Sequence, residues 1–189
     1  MPQQNNDAGA EARARYGMMK VLRESASPVS QEEFEETMKQ HALFLENGGS
    51  GGKWQTVSVS EGPTGTVLAV YLGPKVSAGA QASFMNKSME GLPVKEANLS
   101  YTNMVGVRAQ KQNFDGANLQ GICATDSDFS GSSFKNADLR GADFSRSLMI
   151  GCDFTGAILG GDVDRENVDF ENADMTGAIG TYRWTAMRD

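Results

Sequence analysis

Residues 132–161 read SSFKN-ADLRG-ADFSR-SLMIG-CDFTG-AILGG when they are written in groups of five. The third residue of each group is Phe, Leu or Met, and the first is Ser, Ala or Cys. A period of five fits neither an α-helix, which repeats every 3.6 residues, nor a β-strand, which repeats every two. An internal structural repeat is the remaining explanation for this pattern.

The apolar position of the repeat recurs through most of the second half of the chain. A mostly small residue stands two positions before it, Asn or Asp often stands one position before it, and glycine is frequent two positions after it. The unit therefore reads A-(D/N)-(L/F)-x-G. The apolar centres are Leu99, Met104, Ala109, Phe114, Leu119, Ala124, Phe129, Phe134, Leu139, Phe144, Met149, Phe154 and Leu159.

This unit resembles the motif of the pentapeptide-repeat family, and the resemblance covers residues 97–180. It implies a right-handed quadrilateral parallel β-helix, with four quintets and twenty residues in each coil, and about four coils in this chain. Residues twenty apart are indeed alike, as stacked coils require: one column of centres is all leucine and another is Phe114, Phe134 and Phe154. Glycine is expected at the corners, where the backbone turns and φ becomes positive.

The repeat slips once after residue 160. An unbroken register would place Asp162 and Asp164 inside the coil, where an unpaired charge is very costly. One inserted residue restores the pattern in quintets centred on Phe170, Met175 and Gly180. Residues 161–167 are therefore predicted to form an exposed loop at one corner.

The first half of the chain lacks the repeat and contains a well-signalled helix. Ser30 and Glu33 form a capping box, and Gly48 ends the pattern. The predicted apolar stripe of this helix consists of Phe34, Met38, Ala42 and Leu45. A weaker helix is predicted at about residues 10–24, where Met18, Val21 and Leu22 are its apolar residues.

Two strands complete the predicted N-terminal half, at Lys53–Ser60 and Thr66–Leu72, joined by a turn at residues 62–65. The fold class is therefore mainly β, a β-helix preceded by a small α+β domain that closes its N-terminal end. The predicted boundaries are a disordered terminus at 1–8, the α+β domain at 9–94, the β-helix at 95–181 and a C-terminal cap or tail at 182–189. Tyr182 and Trp184 are the aromatic residues expected to cover the far end.

Charge and cysteine usage restrict the function classes. The net charge is −7, and residues 96–180 contain thirteen acids and six bases. This balance argues against direct binding of nucleic acid or of an anionic membrane. No apolar run is long enough for a membrane span, and the two cysteines are too few for a disulfide framework. We expect a cytoplasmic protein, of bacterial type.

Three features that resemble reactive sites are better explained as structural. Residues 48–53 read GGSGGK, but a phosphate loop needs glycine at Asn47 and Ser or Thr at Trp54, so a flexible linker is the better interpretation. His41 is the single histidine, and it is predicted to be a partly buried structural residue. Cys123 and Cys152 fall on different faces of the coil, which argues against a disulfide or a metal pair. No catalytic, cofactor-binding or metal-binding residue is predicted, and we expect no enzyme activity and no cofactor.

The outward carboxylates of the repeat are candidates for an interaction surface. The alternative is that they accept hydrogen bonds from the backbone of their own turns. The predicted function is a non-enzymatic scaffold that presents a rigid surface to a protein partner of unknown identity, with self-association left open. These carboxylates are Asp128, Asp143, Asp153, Asp169 and Asp174.

Two alternative functions stay open at this point. Some pentapeptide-repeat proteins resemble a DNA duplex in width and negative charge and bind the topoisomerase DNA gyrase, so the resemblance implies an acidic DNA mimic as the first alternative. The second alternative is an unrecognised enzymatic role for the N-terminal domain.

Overall fold

The computed structural model describes residues 26–58, 67–160, 165–166, 176–177, 179–180 and 184–185. In these ranges no helix has the length and apolar character needed to cross a bilayer. The elements are β1 (Ser27–Pro28), α1 (Gln31–Glu46), β2 (Lys53–Ser58), β3 (Val67–Leu72), β4 (Lys87–Ser88), β5 (Arg165–Glu166) and β6 (Trp184–Thr185). The strands pair as β1–β4 and β5–β6, both parallel, and as β2–β3, antiparallel.

The repeat folds into a coil whose successive turns pair through parallel bridges between residues twenty apart. Each bridge lies at the Asn/Asp position of a quintet, and the bridges form four columns, one for each side of a square coil. We call these four sides faces 1 to 4. Face 1 contains Asn98, Asn118, Asp138 and Ile158; face 2 contains Ser83, Asn103, Cys123 and Asp143; face 3 contains Ser88, Arg108, Asp128 and Leu148; face 4 contains Asn113, Ser133 and Asp153.

The apolar centres fill the interior of this coil, as predicted. Phe134 lies between Phe114 and Phe154, with ring centroids 5.0 Å apart on both sides and interplanar angles of 4° and 5°. All three rings are at most 2% exposed. Identical residues can stack in this way because successive coils repeat the same backbone position at the spacing of neighbouring strands, ~4.8 Å.

The corners of the coil require a left-handed backbone, which confirms the predicted role of glycine. The last residue of each described quintet has a positive φ, for example 64° at Gly151. Several corners carry a side chain in this conformation, such as Lys111 with a φ of 55°. A left-handed conformation costs a non-glycine residue roughly 1–2 kcal/mol. The stacked ladder therefore imposes the corner geometry even where the sequence offers no glycine.

The coil begins before the boundary predicted at residue 95. Its first bridge joins Ser83 to Asn103, and β1 adds a further rung to face 3 by pairing Pro28 with Ser88. The period of five therefore extends back to a centre at Phe84. The sequence pattern was not followed this far because Lys87 occupies a position where the repeat normally has a small residue.

The register slip is confirmed by the last rung of face 1. Ile158 pairs with Ile179, twenty-one residues away, whereas each bridge between coils from Ser83 to Ile158 spans twenty. One residue is therefore inserted between these two positions. The loop predicted at 161–167 lies outside the described residues except for 165–166, and Phe170, Met175 and Tyr182 lie outside them entirely. Trp184 pairs with Arg165 in the β5–β6 bridge.

Helix α1 closes the N-terminal end of the coil. The Ser30 hydroxyl caps it by accepting a hydrogen bond from the Glu33 amide at 3.1 Å, and the Phe34 ring packs 5.7 Å from that of Phe84. The predicted stripe is wrong at Ala42, which is exposed, whereas Phe44 is buried. The helix turns this other side inward because it packs between the coil and the β2–β3 hairpin, a contact that helix periodicity alone does not reveal.

The hairpin forms as predicted, with shorter strands. Its register runs from Lys53 opposite Leu72 to Ser58 opposite Val67. The turn predicted at residues 62–65 lies outside the described residues. So do the helix predicted at 10–24 and the terminus at 1–8.

Candidate interaction surface

The predicted carboxylate surface is divided among the sides of the coil. Asp143 lies on face 2, Asp128 on face 3 and Asp153 on face 4. The structure therefore does not bring these three side chains together into one patch. Asp169 and Asp174 lie outside the described residues.

Asp128 is buried, so the prediction that it is an accessible surface residue is wrong. Its side chain is 1% exposed. One carboxylate oxygen accepts hydrogen bonds from the Ser130 amide at 3.0 Å and the Ser130 hydroxyl at 2.6 Å, and the other accepts from the Gln110 amide group. Neighbouring residues thus enclose a carboxylate that the repeat alone places on the outside.

The other two described carboxylates also bond to their own turns. Asp143 and Asp153 each accept a hydrogen bond at 2.9 Å from the backbone amide two residues later, those of Ser145 and Thr155. Asn118 makes the same contact with the Gln120 amide at 3.1 Å. The Asn/Asp position of the repeat therefore stabilises the corner that follows it, which is the local role considered as the alternative to binding.

Several acidic side chains of the coil are paired with bases. Asp126 contacts Arg146 at 2.6 Å, and Asp153 contacts Lys135 at 2.9 Å. Desolvation acts to raise the pKa of Asp153, but hydrogen bonds from Thr155 and Lys135 outweigh it and lower that pKa. Asp153 is thus charged at neutral pH, and both carboxylates are paired with a neighbouring base.

The described coil is nearly neutral. Residues 82–160 contain eight acids and seven bases, whereas residues 161–180 contain six acids and one base. The acidity predicted for the whole repeat therefore lies almost entirely beyond the described ladder. Residues 82–160 therefore do not form an extended acidic rod.

An aromatic cluster attaches the hairpin to the coil. The Tyr71 ring lies 5.1 Å from the Trp54 ring and 6.0 Å from the Tyr101 ring, which belongs to a coil corner. The Trp54 indole donates a hydrogen bond of 2.9 Å to the Gly121 carbonyl, one coil further along. Desolvation raises the pKa of Tyr71. The hairpin is therefore fixed along one corner of the coil.

The glycine-rich segment 48–53 is tied to the same tyrosine. The Tyr71 hydroxyl donates to the Gly49 carbonyl at 2.7 Å and accepts from the Gly52 amide at 2.8 Å. Gly49 is buried, and a Cβ atom there would collide with the Phe44 ring. The segment is a linker, as predicted, but these contacts hold it in place and correct the expectation that it is flexible.

His41 joins the helix to the coil and is fully buried. Its Nδ1 accepts a hydrogen bond from the Ala82 amide at 3.2 Å, so Nε2 carries the proton and donates to the Ser100 carbonyl at 2.9 Å. Desolvation lowers the pKa of His41, and the Ser100 contact opposes this only in part. The predicted structural role is confirmed, with more complete burial than expected.

Both cysteines are free and buried within the coil. Desolvation raises the pKa of each thiol to about 12. The Cys152 thiol points inward and donates to the Phe129 carbonyl at 3.0 Å. Cys123 lies at an outer position of face 2, so the prediction that the two occupy different faces is confirmed.

The outer side of the hairpin carries the apolar surface that the sequence analysis did not single out. Val70 is 49% exposed and Leu72 is 58% exposed. They alternate with the inward Tyr71, and exposed Gln55 and Lys53 lie opposite them on β2. β3 reads VLAVYL, a continuous apolar run, so its sequence does not tell which side packs against the coil.

Models of pentapeptide repeats match two overlapping segments of the chain. One matches residues 95–131 with eight copies of the repeat, and the other matches residues 114–158 with nine. Residues 95–158 belong to the pentapeptide-repeat family. The predicted family is confirmed, and the twenty-residue ladder agrees with the right-handed β-helix of that family. No curated protein matches the chain significantly.

Solved pentapeptide-repeat proteins also resemble the chain. Rfr23 from the cyanobacterium Cyanothece 51142 is 16% identical over 52% of this chain and 60% of its own, with a TM-score of 0.38. A protein from the thylakoid lumen of Arabidopsis thaliana is 30% identical over 45% of this chain and 66% of its own, with a TM-score of 0.26. This chain thus spans somewhat less than two thirds of either protein.

QnrB1, a plasmid-mediated fluoroquinolone resistance protein, is 15% identical over 54% of this chain and 76% of its own, with a TM-score of 0.20. At TM-scores this low, none of the three likenesses supports an inference about a partner or an activity.

Proposed function

We propose that this chain is a non-enzymatic protein-binding module in which the coil is a rigid scaffold and the outer side of the hairpin supplies the contact. The observation that carries this proposal is the exposure of Val70 and Leu72 on a strand whose inner side is already packed. Large apolar side chains held in a fixed position can anchor a partner without the entropy cost of ordering a loop.

The rigidity of the hairpin comes from three kinds of contact. Tyr71 packs among aromatic rings, Trp54 bonds to the coil, and β2 and β3 pair along six residues. The N-terminal elements thereby act as an α+β cap that both closes the coil and presents the outer face of β3. The expected partner is a protein with an apolar patch.

The near-neutral charge of residues 82–160 favours this function over an acidic duplex mimic. A mimic needs unpaired negative charge along its length, whereas Asp126 and Asp153 are paired with bases. Salt screens the interactions of exposed charges beyond ~10 Å at 0.1 M. Binding through apolar anchors does not depend on such charges, so it should persist as salt rises. The cytoplasmic location, bacterial origin and self-association of the protein stay predictions.

Co-purification from the native source tests the proposal. The tagged full chain is compared with the double variant Val70→Ser/Leu72→Ser and with Ile158→Ser, a control that removes another exposed apolar side chain. We expect one protein to be retained by the wild type and by the control across a salt series, and to be lost by the double variant. Retention by the double variant, or loss from the wild type at moderate salt, would overturn the proposal.

A further inference from the structure

The lysines and arginines of residues 26–58 and 67–160 fall into two groups. Three of the ten, Lys53, Lys75 and Lys111, are exposed and form no ion pair with the described part of the chain. Lys111 lies at a corner of the coil, whereas the other two lie in the hairpin and directly after it. The remaining seven lie within 3.7 Å of a carboxylate oxygen: Lys39, Lys87, Lys95, Arg108, Lys135, Arg140 and Arg146.

The outer side of the hairpin combines apolar side chains with this unpaired positive charge. Lys53 is opposite Leu72 across the two strands, and side chains at directly opposite positions are neighbours on one side of a sheet. Lys75 follows Leu72 by three residues, and no acid occurs in residues 47–58 and 67–81. A partner that covers Leu72 therefore also meets ammonium groups. We call Lys53, Val70, Leu72 and Lys75 the hairpin surface.

The outer side of helix α1 has the opposite charge. The helix contains five acids and one lysine. Glu32, Glu36 and Leu43 lie on one side of it, because they are four and then seven residues apart, and all three are exposed, Leu43 to 36%. Lys39 contacts Glu36 at 3.7 Å and leaves the side with a net negative charge. We call Glu32, Glu36, Leu43 and Glu46 the helix surface.

The two surfaces are held next to each other in one chain but do not neutralise each other. The Phe44 ring of α1 lies 6.1 Å from the Tyr71 ring of the hairpin, and the Tyr71 hydroxyl bonds to the linker between the two elements. Glu46 and Lys53 are only seven residues apart, yet no ion pair joins them in the structure. Each surface therefore keeps its charge for a contact with another molecule.

We propose that the protein which binds the hairpin surface is a second copy of this chain, which contributes its helix surface. The two surfaces complement each other, since one is apolar and basic and the other is acidic around an exposed leucine. In a dimer with two-fold symmetry each copy contributes both surfaces, so the contact is made twice. Apolar side chains supply most of the affinity, and the charges select the partner and its orientation. This inference rests on the proposed function and names its partner.

Sedimentation equilibrium of the purified full chain tests the inference. We expect a monomer–dimer equilibrium for the wild type. Lys53→Glu/Lys75→Glu and Glu36→Lys/Glu46→Lys should each weaken the dimer on the order of tenfold or more, because like charges then face each other at both contacts. Lys111→Glu reverses the third unpaired lysine and serves as the control, with an unchanged dissociation constant.

An equimolar mixture of the two charge-reversed variants is the most specific test. In a mixed dimer, the acidic hairpin surface of one variant faces the basic helix surface of the other. The remaining contact pairs the two unaltered surfaces. Both contacts thus regain opposite charges, and we expect the mixed dimer to form with an affinity close to that of the wild type. A variant that had lost its fold could not be rescued in this way.

Two results would overturn the inference. One is a mixture that stays monomeric under conditions where the wild type is a dimer, because the two surfaces then do not face each other. The other is a wild-type chain that stays monomeric at concentrations well above the micromolar range.

The co-purification experiment separates this failure from a failure of the proposed function. If the monomeric wild type retains a different protein and Val70→Ser/Leu72→Ser loses it, the hairpin surface is a binding site and only the identity of its partner is wrong. If the wild type retains no protein and does not dimerise, both proposals are wrong.

Discussion

The coil and the cap share one hydrophobic core but are stabilised in different ways. In the coil, contacts are repeated: Phe134 has a phenylalanine above and below it, and successive rungs from Leu99 to Leu139 repeat the same backbone bonds. In the cap, each contact is made once, as with His41 and Trp54. The repeated contacts can be predicted from the period of the sequence, whereas the single contacts become visible only in three dimensions.

The largest effect is expected in the middle of the phenylalanine column. Phe134→Ala removes a fully buried ring that is stacked on both sides, and it should lower the free energy of unfolding by roughly 3–5 kcal/mol. Urea denaturation measures this loss. Lys135→Ala, at the neighbouring exposed position, should change stability by less than about 1 kcal/mol. Similar losses for the two variants would show that the inward and outward positions are misassigned.

His41 should make stability depend on pH. Burial lowers its pKa, so the folded protein holds the neutral ring and the unfolded chain takes up a proton first. The contribution of the neutral His41 ring to stability is complete above its pKa in the unfolded chain, ~6.5, and is lost as pH falls through its lower pKa in the folded protein. His41→Leu should therefore be destabilised less on going from pH 7.5 to pH 5 than the wild type.

Urea denaturation of both proteins at the two pH values measures this difference. Comparing the variant with the wild type cancels the pH-dependent contributions of the carboxylates, which the two proteins share. Parallel pH profiles would contradict a lowered pKa of His41 in the folded protein.

A smaller effect is expected where the hairpin meets the coil. Trp54→Phe keeps an aromatic ring beside Tyr71 but removes the hydrogen bond to the Gly121 carbonyl, at a cost of about 1 kcal/mol. Gln55→Ala, on the outer side of the same strand, serves as the control and should be close to neutral. Thermal denaturation compares the two variants, and an unchanged melting temperature for Trp54→Phe would place the indole outside the stabilising contact.

The smallest effects concern the corners and have opposite signs. Gly151→Ala meets no atom within 4 Å, so its cost arises from φ alone and should be about 1 kcal/mol. Lys111→Gly relieves the same strain and should stabilise the protein by a few tenths to about 1 kcal/mol. Denaturation midpoints that shift in the same direction for both would contradict a common left-handed corner.

The sequence predicted what depends on repetition. The columns of centres, the positive φ at the corners and the single inserted residue before Ile179 all follow from which residues stand five and twenty positions apart. It did not predict the earlier start of the coil, because Lys87 interrupts the column of small residues. The sequence also did not predict that the Phe44 side of the helix is buried or that Asp128 is enclosed, because contacts between residues distant in sequence decide both.

The candidate surface was harder to predict for the same reason. A carboxylate at the Asn/Asp position is expected to face solvent, yet its surroundings depend on the residues one coil above and below. Conversely, Val70 and Leu72 lie on a strand that is apolar throughout, and only the packing of Tyr71 against the coil shows which side stays exposed.

Amide hydrogen exchange tests most directly the claim that cap and coil form one body. Phe34 of α1 and the first centres of the coil belong to the same hydrophobic cluster, and His41 bonds to two coil residues. The amides of α1 and those of the rungs from Leu99 to Leu139 should therefore open together, with equal free energies of exchange. A helix α1 that exchanges at a much lower free energy than the coil would show a separately folded cap and would contradict the account.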